Sequence, residues 1–123
     1  MSKILIADDS LFMRMLLKDL LPKKYQIVEA DSGAKTLEQF ENEEPDLVLL
    51  DVIMPGREQE GVLILKEIMK VHPQAKVIMI TAVGQAAVRE ECKKLGAKDY
   101  IIKPFEQKQI IEAVEKWLEE KES

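Results

Sequence analysis

The chain is poor in the residues that advertise many functions. It has one cysteine, Cys92, which excludes an internal disulfide and a cysteine metal cluster. No apolar run approaches the roughly 20 residues needed to cross a bilayer, so membrane insertion is excluded for a helical span. The chain enters its first apolar run by Lys3, which leaves no room for a signal peptide. The formal charge is −5 with no basic stripe, which argues against direct nucleic-acid binding. These absences point to a cytoplasmic protein. With 123 residues, 46% hydrophobic and 33% charged, residues 1–123 make one globular domain with a real core.

What is present is a regular alternation. Short β-rich runs at 3–7, 26–30, 47–50, 76–80 and 99–102 are separated by helical stretches near 11–21, 33–43, 62–71 and 84–95, and a last helix follows near 106–120. Four of the five runs are continuously apolar, as suits strands covered on both faces. The last helix repeats Ile110, Ala113, Val114, Trp117 and Leu118 at helical spacing, a stripe for packing on a sheet. Pro22, Pro45 and Pro73 all fall in connections. Together these features predict an α/β fold with a parallel sheet, right-handed crossovers and helices on both faces. Val88, Cys92 and Leu95 read as one packed helical face. Phe12, Met13, Met15 and Leu16 give the first helix apolar bulk on several sides, most of it expected in the core and one or two of the four left exposed.

Aspartate is also scarce, with seven in all, and three stand where strands end. Asp8 and Asp9 close the run Ile4–Ala7, and Asp51 closes Leu47–Leu50. Two later runs end at Thr81 and Lys103. The carboxyl ends of neighbouring parallel strands share one edge, where ligands bind, so three carboxylates, a hydroxyl and an amine converge there. Crowded carboxylates repel, and a hard divalent cation relieves this; Mg²⁺, or Mn²⁺, takes oxygen ligands and commonly shares them with a phosphoryl oxygen. Asp51, alone at the middle strand's end, is the best nucleophile for forming an acyl phosphate. Asp8 and Asp9 then serve the metal, with the backbone carbonyl near Ile53 as a further ligand. Lys103 and Thr81 can meet the phosphoryl oxygens.

Four segments in order, Ile6–Ser10, Asp51–Pro55, Thr81–Ala82 and Tyr100–Phe105, resemble the receiver domains of two-component response regulators over essentially the whole chain. The resemblance implies a flavodoxin-like (βα)5 fold, a three-layer sandwich with strand order 2-1-3-4-5. It implies phosphorylation of Asp51 by a histidine kinase, with Mg²⁺ on Asp8 and Asp9. It also implies that Thr81 and Tyr100 reorient on phosphorylation, and that Lys103 contacts the phosphoryl group ahead of a cis Pro104. One departure is visible: the stretch Gly56–Gly61 is about two residues longer than the family pattern, which predicts an effect on phosphoryl lifetime or partner choice.

Other readings fare worse. A haloacid-dehalogenase-type phosphatase needs an acid two residues after its nucleophile, where this chain has Ile53. A flavin carrier needs a hydroxyl- or glycine-rich phosphate loop where Asp8 and Asp9 stand. His72, the lone histidine, precedes Pro73 in a loop and reads as solvent-exposed, not as a phosphohistidine. Apolar Ile53 and Val83 cannot readily activate water, so the expectation is a slowly self-dephosphorylating acceptor and not a turnover enzyme. The segments Phe12–Met15 and Thr81–Gln85 look similar to single-domain chemotaxis regulators, which predicts a monomer read by a downstream switch or adaptor protein. The alternative is a phosphorelay intermediate that hands its phosphoryl group to a histidine phosphotransfer protein.

Overall fold

A computed structural model of the chain describes residues 1–119. Five strands and five helices alternate: β1 (Lys3–Ala7), α1 (Leu11–Leu20), β2 (Gln26–Ala30), α2 (Gly33–Glu43), β3 (Leu47–Leu50), α3 (Glu60–Val71), β4 (Val77–Thr81), α4 (Ala86–Leu95), β5 (Asp99–Ile102) and α5 (Gln107–Glu119). The strands form one parallel sheet in the order β2-β1-β3-β4-β5, the expected flavodoxin-like arrangement.

Alternation along each strand divides the core in two. Leu5, Val48, Leu50, Val77 and Met79 point toward α2, α3 and α4, meeting Phe40, Leu65, Ile68, Val88 and Cys92. Ile4, Ile6, Leu47, Leu49, Ile78 and Ile80 point the other way, toward Leu17 of α1 and Ile110, Ala113 and Val114 of α5. Both faces are covered, which is why the inner strands are apolar at every position. Each fully buried aliphatic side chain contributes about 1.5–3 kcal/mol relative to exposure. β2 lies at an edge, and its residues from Gln26 to Glu29 remain partly open, which accounts for its half-polar composition.

Several boundaries differ from expectation. Strand β4 runs one residue later and includes Thr81. Helix α4 begins at Ala86, because Gln85 keeps an extended conformation as its N-cap. Helix α3 begins at Glu60, two residues before the expected 62, because Gly61 allows the helix to press on the end of β3. Helix α1 ends at Leu20, with Leu21 as its cap. The expected end of the last helix at 120 lies outside the described residues. Phe12 and Met15 project into solvent while Leu17 is buried, so α1 carries apolar surface that the core does not use. His72 is exposed at the end of α3, beside Glu41 at 3.2 Å. Cys92 and Val88 are buried together as expected.

Candidate functional site

The sheet register brings the strand ends together. Ala7 pairs with Leu50, so Asp8 and Asp51 follow side by side. The Asp51 N–H donates to the Ala7 carbonyl at 3.0 Å, and the Lys103 N–H to the Thr81 carbonyl at 2.8 Å, extending the ladders into the site. The chain turns immediately after β1. The Ser10 N–H donates to Asp8 Oδ1 at 2.9 Å, and Ser10 Oγ accepts the Met13 N–H at 3.2 Å as the α1 cap. That turn lets adjacent Asp8 and Asp9 face one point, which an extended strand would forbid.

Carboxylate oxygens of Asp8, Asp9 and Asp51 all lie within 4.8 Å of one another. Asp8 and Asp51 are buried, at 3% and 6% exposure, whereas Asp9 is open to solvent. Lys103 Nζ bridges the buried pair, 2.7 Å from Asp8 Oδ2 and 2.8 Å from Asp51 Oδ2. The second Asp51 oxygen, Oδ1, accepts the Ile53 N–H at 3.1 Å. Burial drives the Asp8 pKa above its ordinary value, with the Asp51 charge adding to it, and the Lys103 and Ser10 bonds only partly oppose this. Burial works against the Lys103 charge, yet its bonds to Asp51 and Asp8 prevail and raise its pKa. Three carboxylates against one ammonium leave the cluster net negative, and its candidate ligand atoms are all carboxylate oxygens. That donor set fits a hard divalent cation such as Mg²⁺.

Thr81 is fully buried on the strand next to Asp51, and its Oγ accepts the Val83 N–H at 3.3 Å. Tyr100 stands apart from the acids. Its ring is 8% exposed within the α2–α4 side of the core, its hydroxyl donates to the Val83 carbonyl at 2.5 Å, and the Arg89 guanidinium lies 5.8 Å from its ring centre. The tyrosine is therefore turned inward. A groove of about 450 Å³ between α4 and β5 runs past it, lined in part by Arg89, Lys93 and Lys98. The Lys103–Pro104 peptide is cis.

Two further residues support the site in ways the sequence alone did not assign. Arg14 donates from Nη1 to the Asp8 carbonyl at 2.8 Å and from Nε to Glu29 at 2.9 Å, clamping the end of β1 from α1 and β2. Gly61 packs its backbone so closely on Asp51 that a Cβ there would stand 1.8 Å from the Asp51 carbonyl oxygen.

Comparison with known proteins agrees with this geometry. Residues 4–115 match the family model of the response regulator receiver domain. The chain is 43% identical over 118 residues to the chemotaxis protein CheY of Bacillus subtilis, covering 94% of this chain and 97% of that one. It is 44% identical over 116 residues to the chemotaxis protein CheY of Thermotoga maritima, covering 93% and 95%. It is also 40% identical over 117 residues to sporulation initiation phosphotransferase F of Bacillus subtilis, covering 94% and 93%. Among solved structures, a chain of the CheX–CheY–BeF3–Mg²⁺ complex from Borrelia burgdorferi superposes with a TM-score of 0.86 at 30% identity, covering 94% of this chain and 87% of that one.

Proposed function

The chain belongs to the response regulator receiver domain family, and from that premise we propose that it accepts a phosphoryl group on Asp51 from a histidine kinase and signals in chemotaxis. The observation that carries this reading is Lys103 Nζ bridging Asp8 and Asp51 beside Asp9. In the transfer the N–P bond of the donor phosphohistidine, protonated on its other ring nitrogen, breaks and an O–P bond to the Asp51 carboxylate forms, leaving a neutral imidazole on the kinase. Asp8, Asp9, Asp51 and the Ile53 carbonyl would hold Mg²⁺, which when bound neutralises charge on the phosphoryl oxygens. The Ile53 N–H orients one Asp51 oxygen. Lys103 exchanges one of its carboxylate bonds for a phosphoryl oxygen, and the Thr81 hydroxyl donates to another.

Exposed Ile53 and half-buried Val83 flank the acceptor with apolar groups, so neither positions a water, and the aspartyl phosphate is lost slowly. The protein is a slow acceptor, not a turnover enzyme. It acts in the cytoplasm as a monomer, and a switch or adaptor protein reads its changed surface near the α4–β5 groove. The two CheY relatives favour chemotaxis. The likeness to a sporulation phosphotransferase favours a second reading, a relay intermediate passing its phosphoryl group to a histidine phosphotransfer protein.

Intact mass after incubation with a small acyl-phosphate donor tests the core of this reading. Wild type should gain one phosphoryl group in Mg²⁺ and none with chelator, and Asp51→Ala should gain none. A gain in Asp51→Ala, or none in wild type, overturns it. Rapid transfer onward to a phosphotransfer histidine would favour the relay.

A further inference from the structure

Glu60 is a buried acid that the phosphoryl chemistry leaves unused. It opens α3 at 7% exposure. Its Oε2 accepts the Arg57 backbone N–H at 2.8 Å and Arg57 Nε at 3.3 Å, and its Oε1 accepts Arg57 Nη2 at 2.9 Å. The Arg57 side chain is 69% exposed, so a solvent-facing guanidinium closes over a buried carboxylate.

The same carboxylate lies on two glycines. A Cβ at Gly56 would stand 2.7 Å from Oε2, and one at Gly33, the first residue of α2, 3.1 Å from Oε1. Helix α2 has no acid in its own first turn, and the Arg57-paired Glu60 carboxylate lies against that N-terminus, where a negative charge is favourable. Immediately after Glu60, Gly61 donates its N–H to the Val52 carbonyl at 2.8 Å and presses on the back of Asp51. Just before Glu60 the connection holds Gln59 at φ 54°, a left-handed conformation unfavourable for glutamine that persists only where its surroundings over-determine it.

We propose that the Arg57–Glu60 pair is an ionic latch that positions the phosphoacceptor: it seats the β3–α3 connection on the α2 N-terminus and thereby fixes Ile53, whose N–H holds Asp51 Oδ1. Glu60 is a positioning residue in this scheme, since it touches no reacting atom. The consequence for phosphoryl lifetime rests on Asp51 being the phosphoacceptor; the latch geometry itself does not. With the latch open, Ile53 lets go of Asp51 and water gains access. Water then adds to phosphorus, the Asp51 O–P bond breaks, and inorganic phosphate and a free carboxylate result.

The test compares Glu60→Gln and Arg57→Ala with Glu38→Gln, which breaks the exposed Lys35–Glu38 pair on α2. Amide hydrogen exchange in metal-free protein is read as the rate at Ile53 relative to Leu49 in the core of β3, which separates local opening from global destabilisation. Glu60→Gln and Arg57→Ala should raise this ratio roughly tenfold and shorten the phosphoryl lifetime by a similar factor, the scale of loss when an outer support of a metal or reacting centre is removed. Arg57→Lys should restore part of both, and Glu38→Gln should change neither. A wild-type ratio in both latch variants overturns the proposal, and so does a raised ratio with a wild-type lifetime. If wild type itself accepts no phosphoryl group, the phosphoacceptor reading fails and the exchange ratio alone decides the latch.

Discussion

Lys103 holds two buried carboxylates apart from each other's charge, and its removal exposes how much the site depends on it. Without metal, Lys103→Met leaves Asp8 and Asp51 unpaired in a buried setting, which should cost about 3 kcal/mol of stability. Added Mg²⁺ should recover much of that, because a cation can replace the ammonium between the acids; denaturant melts with and without Mg²⁺ check both statements. The pH dependence follows from the same contacts. The folded-state pKa of Lys103 lies above its ordinary 10.5, so its contribution is fully present below that value and disappears as pH rises through the folded-state pKa. Metal-free wild type should therefore lose stability above about pH 10.5, more steeply than Lys103→Met. Parallel alkaline slopes in the two proteins would contradict this assignment. Asp8, Asp9, Asp51, Thr81 and Lys103 were legible in the sequence because each interrupts an apolar run at the same edge of a parallel sheet. Arg14 and Glu60 were not. Arg14 reaches Glu29 across 15 positions, and Arg57–Glu60 has the spacing of an ordinary surface pair, so only tertiary packing shows that Glu60 is buried.

At the scale of elements, the sheet order and both helical layers follow from the βα alternation, whereas helix starts do not, because they depend on what the first turn touches. Apolar spacing predicts α3 from 62, yet Glu60 and Gly61 are helical since a glycine backbone can lie against the Asp51 carbonyl. This contact makes Gly61 the joint between α3 and the end of β3. Gly61→Ala would drive a Cβ to 1.8 Å from backbone oxygen, where no side chain can swing aside. Overpacking of this kind typically costs about 1–3 kcal/mol and here should reach or exceed the upper end. Gly84→Ala is the matched control, since its Cβ would meet only Ile102 Cδ1 at an ordinary 3.6 Å, and it should fall within about 0.5 kcal/mol of wild type. Equal midpoints for the two variants in urea would mean that α3 can slide off β3 without penalty. The helix α1 shows the reverse limit of sequence reading: its apolar residues lie on several sides, so the sequence names Phe12, Met13, Met15 and Leu16 without singling out Leu17, yet Leu17 is the one buried while Leu11, Phe12 and Met15 stay exposed.

Across the whole molecule, Thr81, on the strand beside Asp51, is joined to Tyr100 at the α4–β5 groove by two hydrogen bonds through Val83. Thr81 Oγ accepts the Val83 N–H, the Val83 carbonyl accepts the Tyr100 hydroxyl, and the Tyr100 ring lies under Arg89 at the groove. If the Thr81 hydroxyl turns to donate to a phosphoryl oxygen on Asp51, it weakens its bond to Val83 and shifts the residue on which Tyr100 rests. Tyr100 is already inward in this structure, so phosphorylation would act by narrowing the ensemble around that position, a population shift and not a new arrangement. The expected signature is a change in the Tyr100 ring and Arg89 guanidinium NMR resonances when Mg²⁺ and an acyl phosphate are added. Thr81→Ala should still gain one phosphoryl group by mass, because Asp51 and Lys103 remain in place, yet the Tyr100 and Arg89 resonances should move much less, since the lost hydrogen bond, worth about 1 kcal/mol, no longer biases the equilibrium. A full wild-type response in phosphorylated Thr81→Ala would break the link between Thr81 and the groove, and the signal would have to leave the site through α1 or the β3–α3 connection instead.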